Sequence, residues 1–168
     1  MQNQMNKYRR LKNLFLRQSY LDAWEDYQRS ILKKSFPKWD YIVLTASNEE
    51  QGKAFQKQIE YRSEKGVLPD ATKFLVIPDP DGKRIGSGGA TLHVLRTLSE
   101  REGFLGDFHG KRILVIHSGG DSKRVPQYSV CGKLFSPVPR ELPDGRGSTL
   151  FDEFLIGMSG VPSRFKEG

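Results

Sequence analysis

The sequence predicts an α/β fold with a mostly parallel sheet, and three observations lead to this fold class. Short apolar runs bounded by turn residues are typical of buried strands, and they occur at residues 40–46, 73–78 and 113–116. Segments with helical periodicity lie between these runs. Glycine-rich loops follow the second and third runs. Strands that alternate with helices favour a parallel sheet covered by helices on both faces.

Length and composition limit the class of protein. The 168 residues are 36% hydrophobic and 28% charged, which suits one soluble globular domain. No apolar run approaches the roughly 18 residues of a membrane span, and the first ten residues are too polar for a signal peptide. We therefore expect a cytoplasmic protein without a membrane partner. Cys131 is the only cysteine and the three histidines are scattered, which excludes an intrachain disulfide and argues against a structural metal site.

The net charge of +7 is concentrated at the start of the chain. Residues 1–38 contain nine Lys and Arg against three Asp and Glu, and the remaining residues contain eighteen against seventeen. We interpret residues 1–38 as a basic N-terminal helical segment and residues 39–168 as part of the main domain. A basic leader without a nucleic-acid-binding motif is usually a solvated helix face, so no nucleic-acid partner is expected.

Within the leader, residues 19–34 have the pattern of an amphipathic helix. Its aromatic and aliphatic side chains recur at spacings of four, three and four, at Tyr20, Trp24, Tyr27 and Ile31. Ser19 is the predicted N-cap, and the helix is expected to end before Pro37. This stripe is interpreted as a packing face; a base-stacking surface is the alternative.

A strand at residues 40–46 and a second helix follow. Ser47 or Asn48 is predicted to cap this helix, which should extend to about Lys65 and end at Gly66. Phe55, Ile59 and Arg62 share one of its sides. Residues 73–78 form the second predicted strand.

The first glycine-rich loop lies within residues 79–92. Its glycines are predicted to open a helix with an apolar side formed by Leu92, Val94, Leu95 and Leu98. A glycine loop at a helix N-terminus is an anion site by geometry and dipole. The residues assigned to this site are Arg84, Gly86, Ser87, Gly88, Gly89 and Thr91; a flexible connector is the alternative reading.

The second glycine-rich loop follows the predicted central strand at residues 113–116. Gly119 and Gly120 carry no Cβ, so backbone N–H groups there can surround a phosphate closely. Lys123, Arg124 and Lys133 add positive charge suited to a triphosphate. Ser122 is assigned either to a phosphate contact or to capping the next turn.

The last part of the chain is predicted to be a polar turn followed by a helix. The turn occupies residues 140–147, and Ser148 is the predicted N-cap of the helix. Its expected apolar side contains Phe151, Phe154, Leu155 and Met158.

The run HSGGDSKRVPQYSVCGKLFSPVP, together with GSGGATL, closely resembles the GDP-fucose pyrophosphorylase (fucose-1-phosphate guanylyltransferase) family, including its form fused to L-fucokinase. The family pattern is roughly His-[Ser/Ala]-Gly-Gly-x-Ser-x-Arg-[Leu/Val]-Pro, followed by Gly-Lys. The matching residues are His117, Ser118, Gly119, Gly120, Ser122, Arg124, Val125, Pro126, Gly132 and Lys133.

This resemblance implies a Rossmann-like nucleotidyltransferase (GT-A-like) core that forms GDP-fucose and diphosphate from GTP and L-fucose 1-phosphate with Mg²⁺. In it, Arg124 and Lys133 would be catalytic, while Gly119, Gly120, Ser122 and Lys123 would bind nucleotide with the first loop. The Mg²⁺-binding aspartate and the sugar-binding segments are expected beyond Gly168, so the chain resembles an N-terminal portion, truncated at its C-terminus.

Several alternatives remain beside this interpretation. His117 is interpreted as a structural histidine rather than a general base, because the substrate phosphate is already ionised. Asp121 is interpreted as a loop cap rather than a metal ligand. Another base or sugar specificity is one alternative function, and a non-catalytic nucleotide-binding fragment is a second. The sequence leaves the oligomeric state open.

Overall fold

A computed structural model of the chain describes residues 2–118 and 132–165. The helices are α1 (Gln2–Leu32), α2 (Glu49–Glu64), α3 (Gly86–Glu102), α4 (Leu150–Ser159) and α5 (Val161–Arg164). The strands are β1 (Tyr41–Ala46), β2 (Lys73–Pro78), β3 (Ile113–His117), β4 (Pro137–Glu141) and β5 (Gly147–Thr149). A short 3₁₀ turn, Pro80–Gly82, precedes α3.

The main sheet has three parallel strands in the order β2-β1-β3. Val43 of β1 lies opposite Leu75 on one side and Val115 on the other. The predicted α/β class and parallel sheet are confirmed, and the architecture is compatible with a Rossmann-like core. The expectation that β3 is the central strand is wrong, because β1 lies between β2 and β3. Its expected cover on both faces is confirmed, since Leu114 and Ile116 pack in one core cluster and Ile113 and Val115 in the other. All six residues of β1 are buried, whereas in β3 only Ile116 is buried, because β1 lies between the other two strands.

Helices cover both faces of this sheet. Ile42 and Leu44 of β1 pack with Phe55 and Ile59 of α2 in one hydrophobic cluster. Tyr41 and Val43, which alternate with them, pack with residues of α3 in the other cluster. The period-two alternation of the strand therefore divides the core into two layers.

The buried side of α3 differs from the predicted one at two positions, since Leu92 is exposed and Leu95 is only partly buried. Ala90, Val94 and Leu98 recur every four residues and face the sheet. Leu92 was expected to share this side, but it is 70% exposed. Its position two residues before Val94 places it on the opposite part of the helix circumference.

Helix α1 is longer than the predicted residues 19–34 and begins at Gln2, so Ser19 lies inside it and does not cap it. Trp24 and Tyr27 are buried in the core, and Trp24, Tyr20 and Ile31 belong to the cluster that also contains residues of α4. The interpretation of this stripe as a packing face is confirmed. The domain boundary at residue 38 stays a prediction. Among the described residues, no helix combines the length and the apolar character needed to cross a membrane.

The predicted polar turn after Pro139 lies inside an antiparallel hairpin of β4 and β5. Prolines in Pro137–Glu141 obscured the first strand, since proline is confined to sheet edges, where its missing N–H does no harm. Thr149, not Ser148, caps α4 and forms a capping box with Asp152. The expected burial of Phe154 is wrong, because this side chain is 51% exposed while Phe151 and Leu155 are buried.

Candidate functional site

The carboxyl ends of the three parallel strands meet at one edge of the sheet. Thr45 lies near the end of β1, Asp79 directly follows β2, and His117 ends β3. The Asp79 amide donates a hydrogen bond to the Ala46 carbonyl at 2.7 Å, which holds the loop after β2 against the end of β1. The chain runs from β1 to β2 on one side of the sheet and then crosses to β3 on the other. Ligands of open α/β sheets usually bind at such a switch point.

A small cleft of about 100 Å³ opens at this edge. It is lined by Thr45, Asp79, Arg84, Gly86, Ser87, Ala90 and His117. The cleft therefore joins the ends of all three strands to the first turns of α3. It contains the positive charge of Arg84 and the negative charge of Asp79.

The start of α3 is well suited to an anion. Gly86 has φ of 71°, a conformation that favours glycine, and it opens the helix directly at the cleft. Among the described residues, no side chain caps this N-terminus and none in its first turn is acidic. By contrast, Asn48 caps α2, whose first turn contains Glu49 and Glu50. The first N–H groups of α3 are thus left for water or a ligand.

A hydrogen bond between Thr91 and His117 connects α3 with the end of β3. The Thr91 hydroxyl donates to the Ser87 carbonyl at 2.9 Å, and its oxygen lies 3.1 Å from Nε2 of His117. Ser118 binds the neighbouring strand, because its amide donates to Oγ1 of Thr45 at 3.3 Å and its hydroxyl donates to the Thr45 carbonyl. These contacts determine where the chain leaves β3 at the start of the second glycine-rich loop.

Lys133 follows that loop in sequence and is the second of the described residues 132–165. It is exposed and is not one of the described residues that line the cleft. Gly132, before it, is buried against α2: a Cβ there would lie 2.8 Å from Nε2 of Gln51 and 3.0 Å from Cζ of Phe55. The Gln51 side chain in turn accepts a hydrogen bond from the Ser47 amide at 2.9 Å. Gly132 therefore attaches the Lys133 segment to the turn that follows β1.

The structure brings together part of the predicted site. Arg84, Gly86 and Ser87 line the cleft, and the remaining first-loop residues lie in the first two turns of α3; these are Gly88, Gly89 and Thr91. The second-loop residues lie outside the described residues; these are Gly119, Gly120, Asp121, Ser122, Lys123 and Arg124. The binding and catalytic roles assigned to all of these residues stay predictions.

Sequence reasoning did not assign Thr45, Asp79 or His117 to the site, although the structure places all three in the cleft. The sequence predicts Thr45 in a strand and Asp79 in a turn, and His117 is interpreted from it as a structural histidine. A usable signal was present, since each lies at or beside the carboxyl end of a predicted parallel strand. Within the two described ranges, no group of three or more His, Cys, Asp and Glu is arranged to hold a metal ion.

Comparison with known proteins agrees with the resemblance read from the motifs. Residues 106–168 match the family model described as Fucose pyrophosphorylase domain. The chain is 39% identical over 152 residues to the bifunctional fucokinase/GDP-fucose pyrophosphorylase of Arabidopsis thaliana, an alignment that covers 78% of this chain and 14% of the relative. It is 40% identical over 102 residues to the fucose-1-phosphate guanylyltransferase of Mus musculus, covering 60% of this chain and 17% of the relative.

The Homo sapiens fucose-1-phosphate guanylyltransferase is 39% identical over 102 residues, which is 60% of this chain and 16% of the relative. The chain therefore spans less than a fifth of the length of these curated relatives. No solved structure matches it. The predicted resemblance to the GDP-fucose pyrophosphorylase family is confirmed by the family model and by these relatives.

Proposed function

From the resemblance of this chain to the fucose pyrophosphorylase family, we propose that it provides the nucleotide-binding part of a fucose-1-phosphate guanylyltransferase. The reaction joins GTP and L-fucose 1-phosphate into GDP-fucose and releases diphosphate. Two alternatives stay open: another base or sugar specificity, and a non-catalytic nucleotide-binding fragment. We place the protein in the cytoplasm, with these small molecules as partners and no nucleic acid or membrane.

One observation carries this proposal: the uncapped N-terminus of α3 opens, beside Arg84, into the cleft at the switch point of the sheet. Backbone N–H groups and the positive end of the helix dipole stabilise phosphate oxygens there. Nearby glycines permit close approach, since Gly88 has no side chain to separate a phosphate from the helix. We assign the triphosphate of the nucleotide to this position.

The reaction requires neutralisation of negative charge and does not require a nucleophile from the protein. An oxygen of the sugar 1-phosphate forms a bond to the α-phosphorus of GTP, and the bond from that phosphorus to the bridging oxygen of the β-phosphate breaks. Both reactants are anions, so positively charged groups must offset their repulsion. Arg124 and Lys133 are proposed for this role. Mg²⁺, bound with the triphosphate, would neutralise charge that develops on the departing diphosphate, and its protein ligand is expected beyond Gly168.

The proposed function is tested by calorimetric titration of the chain with GTP, ATP and GDP-fucose in the presence of Mg²⁺. We expect saturable binding that prefers guanine nucleotides and weakens by at least about tenfold in Arg124→Ala, because a charged hydrogen bond to phosphate contributes about 1.5–3 kcal/mol. The exposed Arg96→Ala serves as the control. Equal binding of GTP and ATP would favour another base specificity. No binding to a folded chain would contradict the assignment of the nucleotide to this chain.

Gly88→Ala is expected to separate nucleotide binding from stability. The added methyl group meets nothing within 4 Å in the protein, and alanine favours a helix over glycine by up to about 1 kcal/mol. The variant should therefore unfold at the same or a higher temperature, while its GTP affinity falls because the methyl group occupies space beside the phosphate.

The matched control is Gly157→Ala. This residue is an exposed glycine inside α4 that also has nothing within 4 Å of an added Cβ. Gly157→Ala should raise the thermal unfolding temperature as much as Gly88→Ala does and leave GTP affinity unchanged. Unchanged GTP affinity in Gly88→Ala would show that the phosphates do not approach the first turn of α3.

A further inference from the structure

We propose that His117 is a specificity-determining residue whose Nδ1 accepts a hydrogen bond from an uncharged donor of the nucleotide, either an N–H of guanine or a ribose hydroxyl. This inference rests on the proposed function, because it requires the nucleotide to occupy the cleft. This role differs from that of a structural histidine, because one ring nitrogen of His117 forms a hydrogen bond with the ligand.

The first step is to locate the single proton of the Thr91 hydroxyl. That hydroxyl donates to the Ser87 carbonyl at 2.9 Å, and a carbonyl can only accept. We assign the proton to this shorter contact, so that toward His117, 3.1 Å away, the Thr91 oxygen is the acceptor. With this assignment, Nε2 of His117 carries the proton of the contact.

The second step concerns the other ring nitrogen. In a neutral imidazole only one nitrogen carries hydrogen, so a proton on Nε2 leaves a lone pair on Nδ1. Among residues 2–118 and 132–165, no hydrogen-bond donor reaches Nδ1, and the exposed ring lines the cleft. His117 therefore presents an acceptor to whatever enters.

The third step selects the part of the ligand that this acceptor fits. Phosphate oxygens are acceptors themselves and are repelled by a lone pair, so the triphosphate belongs at the N-terminus of α3 beside Arg84. A guanine N–H or a ribose O–H has the required hydrogen. Asp79, a carboxylate in the same cleft, adds a second acceptor and supports the same choice.

The tautomer is measured directly by long-range ¹H–¹⁵N NMR of the imidazole rings, at a pH above which the ring signals no longer change. His93→Gln and His109→Gln identify the His117 signals, since the chain contains three histidines. We expect His117 to be protonated at Nε2 in the wild type and in Thr91→Ser, which keeps the hydroxyl. Thr91→Val should give a mixture of tautomers. Protonation at Nδ1 in the wild type would overturn the inference without any reference to nucleotide binding.

The contact itself is measured by GTP titration of two His117 variants. In His117→Asn the amide oxygen can replace Nδ1 as acceptor, whereas in His117→Gln the longer amide can replace the contact of Nε2 with Thr91. We expect GTP affinity to fall by about tenfold in His117→Gln and by less in His117→Asn.

Nucleotide analogues distinguish the two donor sources. ITP lacks the guanine amino group, 1-methyl-GTP lacks the ring N–H, and 2′-deoxy-GTP and 3′-deoxy-GTP each lack a ribose hydroxyl. The analogue without the contacted donor should lose affinity in the wild type and lose none in His117→Gln. Unchanged GTP affinity in His117→Gln would overturn the contact alone. Absence of GTP binding to the wild type would overturn the proposed function together with this contact.

Discussion

Replacing Asp152 by alanine is expected to lower the free energy of unfolding by about 3–5 kcal/mol, because it leaves the Arg62 guanidinium buried without its counter-charge. Nε and Nη2 of Arg62 donate to the two carboxylate oxygens of Asp152 at 2.9 and 3.1 Å. Both side chains are about nine-tenths buried. This bidentate pair connects α2 to α4 across 90 residues of sequence.

The surroundings of the pair explain why its loss is costly. Arg62 uses its remaining N–H groups on Gln58 and Thr149. Its guanidinium carbon lies 4.9 Å from the ring centroid of Phe135 and 5.4 Å from that of Phe151. Loss of the carboxylate would therefore leave the guanidinium beside two aromatic rings without its counter-charge. Asp152 also completes the capping box of α4, so its loss weakens the start of that helix as well.

The measurement is urea unfolding followed by circular dichroism, with two comparison variants. Glu100→Ala breaks the exposed Arg96–Glu100 pair and should cost no more than about 0.5 kcal/mol. The double variant Arg62→Met with Asp152→Leu removes both charges and should recover much of the lost stability. A loss in Asp152→Ala as small as in Glu100→Ala would contradict the prediction.

The same pair makes the stability depend on pH. Burial alone would raise the pKa of Asp152, but hydrogen bonds from Arg62 and Thr149 outweigh it and lower the pKa below its ordinary value. The charged carboxylate therefore stabilises the fold above the unfolded-state pKa of about 4. That contribution is lost as the pH falls from there through the lowered pKa of the folded state. In Asp152→Asn, this part of the acid dependence should be absent.

Replacing Gly132 by alanine is expected to cost about 2–5 kcal/mol of stability. The residue has φ of 73°, where a side chain adds roughly 1–2 kcal/mol of strain. The new Cβ would also lie 2.8 Å from Gln51 and 3.0 Å from Phe55, and overpacking of this kind costs about 1–3 kcal/mol. Because Phe55 is buried in the core, the strain cannot be relieved by moving an exposed side chain.

Gly145→Ala separates the cost of backbone strain from the cost of the steric clash. Gly145 has φ of 83° but nothing within 4 Å of an added Cβ, so this variant carries the backbone strain without the clash. Thermal unfolding of both variants should show the larger loss at Gly132. Equal losses would mean that Gly132 does not pack tightly against α2, and the proposed attachment of the Lys133 segment would fail with it.

Elements that depend on local patterns were predictable from the amino-acid sequence. The three parallel strands, the Asn48 cap of α2 and the start of α3 at its glycines follow from apolar runs, turn residues and capping preferences within a few positions. The packing stripe of α1 was also predictable, because Trp24 and Tyr27 recur with the helical period.

Which of these elements meet depends on long-range packing and is visible only in the fold. Local patterns do not contain the strand order, so β1 rather than β3 lies in the centre. They also do not show that Arg62 pairs with Asp152 or that Gly132 packs on Gln51, since each contact joins residues that are distant in sequence. The cleft also depends on contacts between residues that are distant in sequence. Thr45, Asp79 and His117 become neighbours because parallel pairing brings the ends of three separate strands to one edge.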